Sequence, residues 1–312
     1  MLKFLIWFFW DFSGLRFVWE KIRPPIDPAI NKRPPATIII WILSAAVLYL
    51  ALYGFASQRY FNRINLIENR ANAVLIQLTT PSFKKAIEKI PYIQRMKIPV
   101  KPDLRQPLSI AKSLFSENVE YSAMIDLLRE FIEDWKDSLQ ELSLADADLS
   151  NLDLSGAKLQ KTHLNRAILK YINLEDARLS HAVLNDANLF HAMLDKTALF
   201  HTELQNTNLE QSLLRNAEMV EAMLKGANLK WADLENADLY RADFEGANLE
   251  NANLAGARLR DANFASSNLS GIKGVSLDQL CKAKSIYHAK GLNSELLVQI
   301  KEKCPQLLDK PK

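Results

Sequence analysis

The chain is predicted to fold as an all-β solenoid, a quadrilateral β-helix, over residues 142–272. Three observations predict it. From Leu144 to Leu269 the chain repeats every five residues, with 26 successive central positions of which 23 are Leu and the others Met219, Phe244 and Phe264. Two residues before each centre lies a second column, Ala in 17 of the 26 pentads, Thr or Ser in six, and bulky only at Leu142, Leu152 and Ile172. None of the 12 prolines falls between Pro107 and Pro305, as a hydrogen-bonded sheet requires.

A period of five suits neither ordinary element. On an α-helix each step of five turns the Leu by about 140° and scatters it around the cylinder. On a flat strand an odd period alternates the buried residue between faces. The pattern closes only if the chain turns once per pentad, so that four pentads make one square coil and residues 20 apart stack. At about 4.8 Å per coil the repeats build a tower about 31 Å tall, with both columns inside. Pentads such as ADLSN, ANLKW and ADLYR resemble the pentapeptide repeat family. The resemblance covers about 130 of the 312 residues. It implies a right-handed quadrilateral β-helix, and in some members a duplex-DNA-like surface that binds type II topoisomerases.

Before the repeats, residues 1–35 combine an aromatic, basic stretch containing Trp7, Trp10 and Trp19 with a proline-rich spacer, and predict an interfacial segment. Residues 36–56 include 20 consecutive uncharged residues from Thr37 to Ala56, about 30 Å of helix, and predict a single transmembrane helix. The basic residues flanking it favour a cytoplasmic N-terminus, an exocytoplasmic repeat domain and an inner-membrane location in a bacterium. Residues 57–141 are read as a helical juxtamembrane region and N-terminal cap. Within it Ser57, Tyr60, Ile64, Ile67, Ala71, Val74 and Leu78 form a stripe, either a short coiled coil that would make a homo-oligomer or a face packed on the chain's own domain. Residues 84–112, with eight basic and two acidic residues and four prolines, read as a lipid-facing collar or a solvated linker. From Val119 to Leu142, Met124, Leu127, Leu128, Phe131, Trp135 and Leu139 predict an amphipathic helix over the first coil. Residues 273–312 are read as a helical C-terminal cap, with a capping box at Ser276 and Gln279 and a helix over 294–304. Two cysteines, Cys281 and Cys304, exclude a cysteine zinc site and leave their own pairing open.

Function can reside only outside the two columns. Asn188, Asn208, Asn228, Asn248 and Asn268 form one vertical file, expected to stabilise the coils through stacked amides. Phe200, Val220 and Tyr240 on one face and Phe190, Tyr171 and Trp231 on the adjacent one, joined by Val183, Met193, Leu213 and Met223, predict an apolar patch for an unknown protein partner, another copy, or the chain's own residues 57–140 folded back on the wall. His181 and His201 lack a third metal ligand apart from Glu221, and no metal or other cofactor is expected. Ser180, His181, His201 and Asp186 are the best catalytic set that can be assembled, without a pocket or an oxyanion donor, so no enzyme is expected. The resulting expectation is a membrane-anchored, non-catalytic interaction or scaffold module without nucleic-acid binding. Its alternatives are a topoisomerase-binding DNA mimic, to which a repeat segment of net charge −6 points, and a structural envelope spacer.

Overall fold

The computed structural model describes residues 35–78 and 83–310. The interfacial segment and proline-rich spacer expected at the N-terminus lie outside the described residues. Two compact units divide the chain: the first draws on residues up to Ile67 and on Lys97–Glu120, the second on Glu68–Met96 and Tyr121–Lys312.

The second unit contains the β-helix. Parallel bridges join residues 20 apart, from Ser143 with His163 to Asn253 with Lys273, so the predicted register is the observed one. Each pentad ends in a turn closed by a bond such as Ala147 N–H to the Leu144 carbonyl at 3.1 Å. The last turn residue is left-handed throughout, with φ between 52° at His201 and 69° at Gly246. Most of these residues are not glycine, and each non-glycine one is held by a bond to the next coil, as in Trp231 N–H to the Glu250 carbonyl at 2.9 Å. Such a conformation costs on the order of 1 kcal/mol and persists where its surroundings over-determine it.

Both columns are buried along their length. The Leu column from Leu179 to Met219 leaves no room for a water molecule, and Phe244 stacks on Phe264 at 5.0 Å within it. Thr fits the small column because its hydroxyl has a partner there: Thr197, Thr202 and Thr207 donate to the carbonyls of Leu174, Leu179 and Leu184.

The solenoid extends beyond the predicted limits at both ends. Leu139 is fully buried, the Thr162 hydroxyl donates to its carbonyl, and Glu141 takes the left-handed turn position. At the other end Ser285 bridges Asn263 and Ile286 is buried as a further centre. There the step is 22 residues rather than 20, because the helix α6 (Leu277–Leu280) is inserted.

The N-terminal cap differs from its prediction. Helix α1 (Pro35–Leu78) enters this unit with Ala71 and Val74 buried. It is followed by α2 (Phe83–Ile87) and α3 (Ile90–Gln94), which bury Ile87, Ile90 and Ile93. Residues 84–96 are therefore folded into the cap and are not a solvated linker. With Ala71 and Val74 covered by the chain itself, this part of the 57–78 stripe is not free to pair with a second copy.

The helix α5 (Ser122–Asp134) is shorter than the 119–142 expectation and buries Met124, Ile125, Leu128 and Ile132. Its buried face is rotated by about one residue from the predicted one, because Ile125 and Ile132 supply apolar groups that the predicted stripe omitted. The Gln94 amide acts as a short strand against the first coil, donating to the Asp148 carbonyl and accepting the Asp148 N–H, both at 2.9 Å. The C-terminal cap has the predicted capping box at Ser276 and Gln279, then α7 (Ser294–Lys303). A disulfide joins Cys281 to Cys304.

The first unit pairs α1 up to Ile67 with residues 97–120. Strand β1 (Lys97–Ile98) lies antiparallel to β2 (Val119–Glu120), and α4 (Pro107–Phe115) connects them. Arg59 donates to the Ser113 carbonyl at 2.8 Å and to Glu117 at 3.1 Å, and Arg63 meets Glu117 at 3.2 Å. Among the described residues no helix is long and apolar enough to cross a membrane. The side chains of residues 37–41, within the uncharged run, lie outside those described.

Candidate partner-binding surface

Residues ten apart lie half a coil apart, so the five residues predicted to share one patch divide between opposite corners of the β-helix. Phe190 and Trp231 belong to the corner that follows the Asn file. Phe200, Val220 and Tyr240 belong to the opposite corner. The two faces expected to adjoin are thus separate surfaces, and they differ in character.

At the first corner the left-handed turn residues Tyr171, His191 and Trp231 project outward. Tyr171 stacks on His191 at 5.4 Å, and Phe190 meets both rings edge-on at 5.8 and 4.3 Å. Tyr171 and Trp231 keep 50% and 46% of their surface exposed. They lie three coils apart, about 14 Å. Ile168, on the face before this corner, and Met193, on the face after it, are each 41% exposed. The large hydrophobics exposed on the β-helix all fall on this side.

The polar ladders show where the surface changes. The Asn file predicted from sequence is formed: Asn208, Asn228, Asn248 and Asn268 each donate to the Asn below at 2.9–3.3 Å. Its oxygens also accept backbone N–H groups of the next turn, including that of Phe190. On the following face Asn173 donates to Asp153 at 2.9 Å and Asn253 donates to Asp233 at 2.8 Å. Between these two pairs stand Met193 and Leu213, bridged to each other, so that ladder is interrupted beside the aromatic corner.

Charge meets a ring at both corners: Lys273 Nζ lies 5.3 Å from the Trp231 ring, and at the opposite corner the charges form a network. His181 stacks on His201 at 5.0 Å, and His201 Nδ1 lies 3.3 Å from Glu221, which also meets Arg241 at 3.2 Å. The guanidinium groups of Arg241 and Arg260 lie 4.9 and 5.8 Å from the Tyr240 ring. Phe200, Val220 and Tyr240 are half-buried. Val183 and Met223, on the face after this corner, are half-buried too, as is Leu213 beside the first corner. Ser180 shares this corner with the His pair, whereas Asp186 sits one corner further on. Among the described residues no three His, Cys, Asp or Glu side chains are grouped to hold a metal ion. A cavity of about 150 Å³ at the C-terminal end is lined by residues such as Leu269, Gly274 and Leu296, with no acid, base or nucleophile.

Charges on the wall alternate along the files. Arg166 pairs with Asp146, Arg215 with Asp195, Lys225 with Glu245 and Asp243, and Arg258 with Asp238. The hydrogen-bonded Arg166 guanidinium holds the Asp146 carboxyl below the usual carboxylate range. The net negative charge is therefore dispersed among ion pairs.

A parallel β-helix with packed columns, laddered walls and one apolar corner defines the class: a solenoid scaffold that offers surface rather than a pocket. The family model described as Pentapeptide repeats (8 copies) matches residues 138–170, 167–205, 202–241 and 237–273, so this region consists of pentapeptide repeats. Among solved structures it is similar to HetL, a pentapeptide repeat protein of Nostoc sp. strain PCC 7120 involved in heterocyst differentiation regulation, at 24% identity over 53% of this chain and 92% of that chain, with a TM-score of 0.23. It is also similar to QnrB1, a plasmid-mediated fluoroquinolone resistance protein, at 17% identity over 54% of this chain and 90% of that one, TM-score 0.31. Rfr23, a pentapeptide repeat protein of the cyanobacterium Cyanothece 51142, is 34% identical over 34% of this chain and 61% of that one, TM-score 0.15. No curated protein sequence matches the chain.

Proposed function

We propose that this chain is a membrane-anchored, non-catalytic binding module whose partner, a protein, docks on the corner formed by Tyr171, Phe190 and Trp231 with Ile168 and Met193 beside it. The observation that carries the reading is the segregation of exposed apolar groups to one side of an otherwise laddered and ion-paired wall. Exposed apolar groups gathered on one side of a protein mark interaction sites, and aromatic residues dominate the energetics of such interfaces.

The anchor is α1. Its 20 uncharged residues match the thickness of a bilayer's hydrocarbon core, and Ile42, Leu43, Val47, Leu50 and Phe55 remain more than half exposed along it. Two features support an exocytoplasmic repeat domain with a cytoplasmic N-terminus. Basic residues slightly favour the N-terminal flank, and the Cys281–Cys304 disulfide belongs to an oxidising compartment. That side of the membrane, together with the alternating charges, counts against the topoisomerase-binding alternative.

The test places a photo-crosslinking amino acid at position 171 or 231, and as controls at 200 or 240, in the full-length chain in its native membrane. One discrete adduct is expected from 171 and 231, absent from 200 and 240, and lost with Met193→Asp. Equal adducts from both corners would remove the basis for the assignment, and none from either would leave the spacer reading. A reporter fused after Lys312 is expected to be active only outside the cytoplasm.

A further inference from the structure

We infer that α4 and the turn preceding it form a second membrane-contact element, seated in the headgroup region of an anionic leaflet beside α1. This rests on the anchor reading above and adds a lipid-binding site that the anchor does not require.

The amphipathicity of α4 is inverted for a helix packed on protein. Its buried residues are Ser109, Ile110 and Ser113, a small and largely hydroxyl-bearing face that fits against α1, where the Ser113 hydroxyl donates to the Ala56 carbonyl at 3.3 Å. Two of its four large apolar residues face outward, while Ile110 is buried and Leu114 half-buried: Leu108 is 77% exposed and Phe115 86% exposed, more than any other large hydrophobic among the described residues. Leu104, in the turn before α4, is 44% exposed.

The position of α4 along α1 links this surface to the anchor. The Tyr49 hydroxyl donates to the Leu104 carbonyl at 2.7 Å, while Arg59 holds the Ser113 carbonyl. The turn before α4 is therefore level with Tyr49, about 10 Å along the helix from Ala56 at 1.5 Å per residue. Leu104 and Leu108 consequently lie alongside the exposed apolar residues Leu48, Leu50, Leu52 and Phe55 of α1. If α1 is embedded to Ala56, this segment enters the same leaflet.

Charge selects lipid over protein as the occupant. Lys101, Arg105 and Lys112 are exposed around the apolar residues. Of the acids in this segment, Glu117 is occupied by Arg59 and Arg63, and Asp103 is folded back to accept the Arg105 backbone N–H at 2.8 Å. Long basic side chains can lay their stems on apolar surface and reach phosphates with their heads. Each adds attraction to an anionic surface. Apolar residues at acyl depth ringed by lysine and arginine describe an interfacial helix.

The experiment uses the full-length chain reconstituted into phosphatidylcholine vesicles with or without phosphatidylglycerol. An environment-sensitive fluorophore is attached through Leu108→Cys, Phe115→Cys, Val47→Cys on α1, or Lys225→Cys on the β-helix, the native cysteines being disulfide-bonded. Quenching by spin-labelled lipid is expected to be several-fold stronger at 47, 108 and 115 than at 225. At 108 and 115 it should rise with phosphatidylglycerol, and Arg105→Glu with Lys112→Glu should abolish that rise. Quenching at 47 but not at 108 or 115 would overturn this inference and leave the anchor intact. Absence of quenching at 47 as well would overturn both. Quenching at 108 that ignores phosphatidylglycerol would overturn the electrostatic half of the assignment.

Discussion

The two opposite corners of the β-helix share backbone, turn type and buried columns, yet only one presents apolar surface. At one, Tyr171 and Trp231 remain about half exposed and a neighbouring polar ladder gives way to Met193 and Leu213. At the other, Phe200, Val220 and Tyr240 are half-buried, with Tyr240 flanked by two arginines and the His file leading into Glu221 and Arg241. Aromatic residues on a solenoid wall are therefore not sufficient evidence of a binding site. What separates the two sets is the turn position they hold: Tyr171 and Trp231 occupy the exposed left-handed place, whereas Phe200, Val220 and Tyr240, like Phe190 at the first corner, occupy the half-buried place before it.

The largest perturbation should erase the comparison by destroying the frame common to both corners. Leu209 is 1% exposed in a column without room for water. An aspartate there has no partner, and Leu209→Asp should cost on the order of 5 kcal/mol. Loss of protease resistance across residues 142–272 is the expected readout. Resistance equal to that of the parent chain would refute the packed interior.

The frame was the legible part of the sequence. Leu repeating every five residues with Ala two before it leaves one closed geometry, and residues 20 apart could be paired in advance. Legibility ended where the phase broke. Ile286 went unrecognised because α6 adds two residues to its coil, so it no longer falls on a multiple of five from Leu269. Within the expected 57–141 cap, the packing of residues 83–96 was hidden for a different reason. Its buried Ile87, Ile90 and Ile93 are embedded among lysines and prolines that read as linker, and Gln94 acts through a side chain that mimics backbone. The candidate surface was half legible. Residue type nominated the aromatics, but exposure depends on which of the two turn positions a residue holds, and residue type does not encode that.

A smaller effect tests whether the first coil, below both corners, depends on its cap. Gln94 is 5% exposed, and Gln94→Leu leaves the Asp148 N–H and carbonyl without their partner, a cost of about 2 kcal/mol. The cap should then rest more heavily on Asp148 and Arg129, which meet at 2.6 Å. Burial raises the Asp148 carboxyl, but hydrogen bonds from Arg129 and Ser150 outweigh it, and the group titrates below its usual range. A depressed carboxylate contributes stability that is present above its unfolded value, about 3.9, and is lost as pH falls through the lower folded value. Hydrogen exchange at residues 144–154 should therefore accelerate in the variant at neutral pH and accelerate again below about pH 4. Exchange indifferent to pH would remove Asp148 from the cap's support.

The finest test reverses stability and binding between the corners. Phe200→Asp introduces a charge at a half-buried position beside Val220 and should destabilise by about 1 kcal/mol, whereas Trp231→Asp at an exposed turn should stay within about 0.5 kcal/mol. Partner crosslinking should rank them the other way, abolished by Trp231→Asp and retained with Phe200→Asp. Thermal melts separate the two effects because both variants keep the buried columns and the left-handed turns. If Phe200→Asp lost the partner while Trp231→Asp kept it, the exposed corner would be ornament and the covered one the site. The charge network over Tyr240 would then have to open for a partner to bind, and substituting Arg241 or Arg260 by Ala would be expected to strengthen that binding.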